Sequence, residues 1–435
     1  MSHVPQINIG LFGLGTVGGS VYEILHKNRD LIAQKLGYPI NLKKVCELDP
    51  KRLKQFGVQQ AIATSRAAEV LDDPEISIIV ELIGDKPVAK EVILKALQLG
   101  KHVVTANKAC LAAHGPEFYQ EAAKNEVEIL FEAAVAGSIP VLRAIREGFV
   151  ADKVLSILGI INGTSNYILT EMEEKKKDFA SVLEEAQKLG YAEANPKADI
   201  EGIDSAHKLT ILAALAYGCV IPVGKVTTEG ITEITPLDFD MAERFGYKIK
   251  LLAISKKEGD EIEVRVHPTM IPNGHMLASV RGVFNAVMLR GECIGDQLFY
   301  GRGAGGGPTA AAVVGDIVEI ARNIGTRVPG VPPLGFRLEN VHKGKVRSME
   351  DIDSEYYLRF TAHDKPGVFA KIASALGANG ISISAVYQHG REEGKEVPIV
   401  VMTHKAKEKN MMKALGEIDK LSVVTKKTLL IRIES

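Results

Sequence analysis

The chain has only four cysteines, no long basic run and no long unbroken apolar stretch, and each shortage removes a class of protein. Cys46, Cys110, Cys219 and Cys293 are scattered without a C-x-x-C pair. That argues against a disulfide framework or a structural zinc, and it fits a reducing cytoplasm. Lys and Arg number 53 against 54 Asp and Glu, a formal net charge of -1. Without clustered basic residues there is no surface for a phosphate backbone, so no nucleic-acid partner is expected. The densest charged patch, EEKKKD at 173–178, mixes signs and reads as a solvated helix end. The longest apolar stretch, around 211–223, is interrupted by Tyr217, Gly218 and Pro222 and is too short to span a bilayer. The N-terminus runs into a strand without a basic segment and long apolar leader. A soluble, cytoplasmic protein with no membrane contact is the expectation. At 435 residues it is long enough for about two or three domains, each with its own core.

What is present begins with a strand, INIGLF at 7–12, followed by GLGTVG from Gly13 to Gly18 and a helix-like stretch. Strand, G-x-G-x-x-G, helix is the order of a dinucleotide-binding turn. Gly13 makes the tight turn, Gly15 lets the backbone approach a pyrophosphate, and Gly18 lets helix and strand pack closely. The motif makes Gly13, Gly15, Thr16, Val17 and Gly18 candidate cofactor contacts. LKKVCEL, SIIVELIG and KHVVTA read as further strands, with VAKEVILKALQLG and GPEFYQEAAKN as helices. Such alternation predicts a parallel, doubly wound sheet of the Rossmann type over residues 1–135. After the second strand, Glu47 or Asp49 could accept from a ribose 2′-hydroxyl, as suits NAD. Lys51 and Arg52 follow and could hold the 2′-phosphate of NADP. The choice stays open. Asn107 and Lys108 fall at the carboxyl end of a predicted strand, where such sheets bind ligands. A helix-capping Asn beside a solvent lysine reads the same residues equally well. Cys110 and His114, spaced i,i+4, are the pair an acylating aldehyde dehydrogenase would need for a thiohemiacetal; packing explains them as readily.

FEAAVAGSIP at 131–140 is small and flexible and marks a domain boundary; carbonyls in such a turn can also ligate a hard monovalent cation. Beyond it, KVLSILGIINGTSNYILTEM predicts a strand, a turn and a helix, with Asn162, Thr164, Ser165 and Asn166 as helix-capping residues. IEVRVHPTMI, NAVMLRG and QLFYG are strand-like, so residues 136–307 are expected to form an α+β domain, with a sheet carrying helices on one face and joining subunits. Within it, Glu193, Asp199, Glu201, Asp204 and Lys208 crowd into 188–208, just before the apolar run LTILAALAYG. A helix apolar all round is normally buried, so Asp204 and Lys208, i and i+4, are expected to enter the protein. Buried charge is costly unless paired or used. An Asp holding a lysine charged and aimed suits a general acid that protonates a carbonyl oxygen. GRGAGGGPTAAAVV adds a second glycine-rich loop, and the helix after it, 308–328, is expected to complete the first domain. Residues 329–352 read as a linker. Residues 353–435 give β-α-β-β-α-β, the ferredoxin-like arrangement, with no acid–base constellation; this tail is expected to bind a small ligand or a second copy of itself.

The motifs converge on a resemblance that covers essentially the whole chain. GLGTVG, VTANK, EAAVAGSIP, GIINGTSNYILTEM, LGYAEANPKADIEGID, GRGAGGGPTA and the tail's DKPGVFAKIA with NGISI resemble a homoserine dehydrogenase carrying a C-terminal ACT domain. The resemblance implies reversible, NADP- or NAD-dependent reduction of L-aspartate 4-semialdehyde to L-homoserine, in threonine, methionine and isoleucine biosynthesis. It implies that Lys208 donates the proton to the aldehyde oxygen and that Lys108 is a second active-site lysine. Glu193 and Asp204 would hold the substrate, supported by Asp199. Glu47, Lys108, Gly190, Glu193 and Gly303 or Gly305 would contact the cofactor. Glu132, Val135, Gly137 and Ile139 would form a sodium site built largely from main-chain carbonyls. The ACT tail implies feedback by an amino acid, L-threonine, sensed at Asp364 to Gly367 and Asn379 to Ile381, in a homodimer or homotetramer. The chain departs from the family pattern at three places. Cys46 and Glu47 stand where many members have Arg-Asp, which weakens the case for NADP. Asn195 replaces a frequent Asp, and Ser138 a frequent Gly. Two other readings remain: an acylating dehydrogenase using Cys110, and a non-catalytic, cofactor-sensing ACT protein.

Overall fold

The structure, a computed structural model, describes residues 6–84, 87–388 and 395–434. The first five residues, included above in the search for a leader, lie outside this range. The chain begins β1 (Ile7–Phe12), α1 (Thr16–Lys27), β2 (Ile40–Cys46), β3 (Ala63–Thr64), β4 (Ile76–Glu81), α2 (Pro87–Gln98), β5 (His102–Thr105), α3 (Lys108–Lys124) and β6 (Ile129–Leu130). It continues with β7 (Val154–Ile160), α4 (Gly163–Lys175), α5 (Phe179–Lys188) and α6 (Ile203–Tyr217). Next come β8 (Tyr247–Glu258), β9 (Glu261–Pro272), β10 (Phe284–Gly291), β11 (Gly295–Arg302) and α7 (Gly306–Thr326). The tail is β12 (Asp353–His363), α8 (Val368–Ala378), β13 (Ile383–Gln388), β14 (Glu396–Thr403), α9 (Glu408–Ile418) and β15 (Val424–Ile433). Contacts divide the chain into two compact units that interleave along the sequence.

The first unit takes residues 1–163, 204–226 and 284–344. Its six-stranded sheet runs β3-β2-β1-β4-β5-β6, with every pairing parallel. The order reverses between β1 and β4, the switch point above which such sheets bind ligands. β1 is buried at all six positions, because helices cover both faces of a parallel sheet. One of those helices is α7: Ala310, Val313, Ile317 and Ile320 share a core with Ile9, Leu11 and Val21. α3 starts at Lys108, seven residues before the expected helix, because Asn107 caps it, its side-chain oxygen accepting from the Cys110 N–H. β7, β10 and β11 form an antiparallel run in the same unit. α6 buries both faces, as its apolar sequence requires.

The second unit takes residues 164–203, 227–283 and 345–435. β8 and β9 form a long antiparallel hairpin. The sequence reading did not single out β8, whose Lys248, Lys250, Lys256 and Lys257 hide the apolar alternation. Lys250 is buried nonetheless, its ammonium donating to the Val280 carbonyl. In the tail, β15-β12-β14-β13 pair antiparallel with α8 and α9 packed on them, the ferredoxin-like fold expected. The outer edge of β15 pairs parallel with β9, at Thr269 with Arg432 and Met270 with Ile433. Residues 329–352 are more than a linker. His342–Lys343 pairs with Cys219–Val220 in the first unit, and Lys345–Val346 with Glu261–Ile262 in the second. Among the described residues no helix is long and apolar enough to cross a membrane.

Candidate active site and cofactor site

The glycines of the first turn divide their work by geometry. Gly13 has φ +88°, and a Cβ on it would press on the Leu82 carbonyl; a Cβ on Gly18 would run into the carbonyl of Gly13. Around Gly15, by contrast, only the Arg52 guanidinium comes within 4 Å, so its backbone stays approachable. Thr16 and Val17 open α1, whose first N–H groups carry the positive end of the helix. A cavity of about 550 Å³ lies at this turn, lined among others by Gly13, Gly15, Glu47, Arg52, Leu82 and Ile83. The second glycine loop packs beside the first: a Cβ on Gly306 would crowd Ser20 and the Thr16 carbonyl. Gly305, at φ +124°, turns the chain into α7, and Gly303 lies against Asn285.

Glu47 follows directly on β2 and is 8% exposed. Its two oxygens accept from the N–H groups of Leu14 (2.6 Å) and Asp49 (2.9 Å). Burial works against its charge, but those N–H groups and nearby Arg52 hold the carboxyl below the usual carboxylate range. Asp49 instead caps the following short helix through the Lys51 N–H.

The second focus is Asp204, on the first turn of α6 and 7% exposed. One carboxylate oxygen accepts from Lys208 Nζ (2.7 Å) and Asn162 Nδ2 (2.9 Å); the other lies 3.2 Å from Lys108 Nζ. Burial alone would raise the carboxyl pKa. The charges of Lys208 and Lys108, with the hydrogen bonds of Lys208 and Asn162, hold it far below the carboxylate range instead. Lys208 Nζ also donates to the Ile161 carbonyl at 2.7 Å. Two of its three N–H donors are thereby committed, and one is left for a ligand. The structure thus brings together the predicted Asp204, Lys208 and Lys108. Asn162, read from sequence as a helix cap, turns out to bind Asp204. Sequence reasoning also missed Glu81, buried at the end of β4, which accepts from Thr105 and the Ile83 N–H. Its signal was a lone acid inside an apolar strand. Burial pushes its pKa up.

Gly190, Glu193 and Asp199 belong to the second unit. Gly190 has φ +75° after α5, and Glu193 is exposed, its carbonyl accepting from Gln187. The Asp199 carbonyl accepts from Ser165, and Glu201 is exposed. Of the expected sodium residues, Glu132 spends its carboxylate on the N–H groups of Leu142 and Arg143. Val135, Gly137 and Ile139 lie in a buried turn with Ala136 and Gly137 at positive φ, where Gly137 abuts Gly303. In the tail, the Asp364 N–H donates to the Lys395 carbonyl, and Gly367, at φ +86°, precedes α8. Asn379 donates to Ala375 and Glu417, and Ile381 is core. Cys110 is buried and His114 sits near Glu117, an arrangement that does not favour a thiolate nucleophile, which needs access.

Comparisons with known proteins converge on one family. A family model described as "Homoserine dehydrogenase" matches residues 140–318, and one described as "Homoserine dehydrogenase, NAD binding domain" matches 13–132. An ACT domain model matches 356–421. The chain is 45% identical to a homoserine dehydrogenase of Neisseria gonorrhoeae, covering 99% of both chains. A crystal structure of a homoserine dehydrogenase from Thiobacillus denitrificans superposes with a TM-score of 0.93 at 43% identity, again over 99% of both. A hyperthermophilic archaeal homoserine dehydrogenase, solved in complex with NADPH, matches 73% of this chain and 98% of its own at TM-score 0.62 and 27% identity. The glycine turn with its cavity, the Asp204–Lys208 pair and the ferredoxin-like tail therefore sit in an oxidoreductase, and the chain belongs to the homoserine dehydrogenase family, with an NAD(P)-binding domain and a C-terminal ACT domain.

Proposed function

We propose that the chain interconverts L-aspartate 4-semialdehyde and L-homoserine, with Lys208 as the group that gives and takes the proton on the reacting oxygen. The observation that carries this reading is the buried Asp204, which holds Lys208 while the Ile161 carbonyl takes a second of its donors. An ammonium held this way keeps one N–H for the carbonyl oxygen, where negative charge develops during reduction. Gly13 to Gly18 and Glu47, with Gly190, Gly303 and Gly305 as further contacts, would hold a nicotinamide dinucleotide, whose chemistry is hydride transfer; the archaeal relative's NADPH complex supports that cofactor class. Lys108, the second cation on Asp204, offers its charge to the substrate carboxylate or the cofactor. The resemblance assigns the substrate's amino and hydroxyl groups to Glu193 and Asp204, with Asp199 in support. Sodium would have to rely on main-chain oxygens at 132–139, because the Glu132 carboxylate is already committed. The tail would sense L-threonine near Asp364, Gly367, Asn379 and Ile381, in a dimer or tetramer.

The test follows reduced nicotinamide by absorbance with L-homoserine, using NAD and NADP separately, with and without L-threonine. Turnover with at least one cofactor is expected, slowed by threonine. No turnover with either would overturn the dehydrogenase reading. A threonine-insensitive rate and assembly state would remove the feedback role alone.

A further inference from the structure

β4 and β5 end side by side, and their last residues, Glu81 and Thr105, stand opposite each other in the parallel ladder. Both are fully buried. The Glu81 carboxylate is divided between two loops. Oε1 accepts from the Ile83 N–H at 2.7 Å, in the loop after β4, and Oε2 accepts from the Thr105 hydroxyl at 2.7 Å. Thr105 Oγ1 accepts in turn from the Asn107 N–H at 3.0 Å, and Asn107 Nδ2 donates back to the Gly84 carbonyl at 2.8 Å. The loops after β4 and β5 are thereby closed into one ring of hydrogen bonds around a single carboxylate. They have different duties. Leu82 and Ile83 line the cavity at the first glycine turn, where a Cβ on Gly13 would meet the Leu82 carbonyl. Asn107 caps α3, whose first residue is Lys108, and Lys108 Nζ reaches Asp204 Oδ1 at 3.2 Å. A carboxyl without exposure is a costly brace: burial pushes its pKa up, and the bonds from Thr105, Ile83 and Gly84 only oppose that rise. Two apolar side chains of the same shape would join the strand ends without that cost.

Resting on the dehydrogenase reading, we propose that Glu81 is a positioning residue for the reaction. It acts through Thr105 and Asn107 to set the start of α3, and with it Lys108, against Asp204, in step with the cavity wall at Leu82 and Ile83. The rival role is a brace for the sheet alone. A brace would cost stability when removed and leave the rate of the folded protein unchanged.

The experiment measures kcat and KM for L-homoserine in the full-length protein, well below the thermal midpoint of each variant. Glu81→Met is expected to lower kcat/KM by about tenfold to 10²-fold, the scale on which a displacement of about 1 Å in a positioned group is felt. Thr105→Val, which keeps the carboxyl and its bond to Ile83, is expected to lower it in the same direction. Glu81→Gln, which keeps an acceptor for Ile83 and offers an N–H to Thr105 Oγ1, is expected to retain most of the rate. Glu81→Met added to Lys108→Ala is expected to slow that variant no further, because effects along one chain of contacts do not add. Folded Glu81→Met protein with a lowered midpoint and wild-type kcat/KM makes Glu81 a brace and overturns the assignment. A loss that multiplies in full with that of Lys108→Ala also overturns it. If Glu81→Met does not fold, Thr105→Val decides, and wild-type kcat/KM there overturns the assignment. In each of these cases wild-type turnover leaves the dehydrogenase reading intact. No turnover by the wild type with either NAD or NADP overturns both readings.

Discussion

Among the clusters of charge that the described residues bury, one around Asp204 and one around Arg265 and Arg432 are completed in opposite ways. At Asp204 two ammonium groups share one carboxylate. Lys208 keeps a donor unspent, and the Lys108 side chain is 41% exposed. In the second cluster Arg265 donates to Glu263, to Glu434 and to His267 Nε2. Arg432 is paired with Glu408 and, through two parallel bonds, with Glu229, and Tyr356 donates to Glu408. Arg432 is 2% exposed and His267 not at all. Because a guanidinium only donates, His267 Nε2 must accept and Nδ1 must carry the proton, toward the Pro268 carbonyl. The ring is neutral, its pKa pushed well below the usual histidine value by burial and by the charges of Arg432 and Arg265. One cluster sets two ammonium groups against a single carboxylate. The other closes every valence between β9, β15 and α9 and so joins the ACT sheet to the β8–β9 hairpin.

This contrast predicts that one cluster governs rate and the other stability. The largest effect falls on Lys208→Ala, which should lower kcat with homoserine by about 10²–10⁴-fold, the usual worth of a positioned proton donor. Its denaturant midpoint should shift far less than its rate. A Lys208→Ala enzyme that keeps kcat would remove the catalytic side of the comparison. Next, Arg432→Ala should cost about 3–5 kcal/mol in chemical unfolding, because Glu408 is left buried without its partner. A loss under 1 kcal/mol would mean that the network is not fixed in the native state. The smallest effect concerns pH. A histidine with a depressed folded pKa contributes stability that is full above its unfolded value, near 6.5, and is lost as pH falls below it. Unfolding midpoints should therefore drop between about pH 6.5 and 5, by up to about 1.4 kcal/mol per pH unit from this group, and His267→Gln should flatten that share. An unchanged slope in the variant would show that His267 titrates normally.

The sequence carried more of the framework than of the contacts. Glycine spacing located the tight turn after β1, where Gly13 takes positive φ and neither Gly13 nor Gly18 leaves room for a Cβ. The β-α-β-β-α-β tail was legible because its strands alternate and its helices are short and bounded. β8 was not, because Lys250 sits on the buried face of a strand dotted with lysines, and only its bond to Val280 explains how that charge is tolerated there. Asn162 looked like a cap for the same reason: Asn before a helix usually is one, and nothing within a few residues reveals an acid on another helix.

Local order is therefore what the chain encodes by itself. The period of apolar residues, the positive-φ glycines and the i,i+4 spacing of Asp204 and Lys208 depend only on neighbours along the backbone. The tertiary structure decided the rest. It brought Asn162 across 42 residues to Asp204, the Ile161 carbonyl across 47 to Lys208, and the Leu14 N–H across 33 to Glu47. The reason is physical: a helix or strand is set by residues one turn or one pleat apart. The partner of a buried charge is set by where two distant elements end, and that is specified only once their apolar faces have packed.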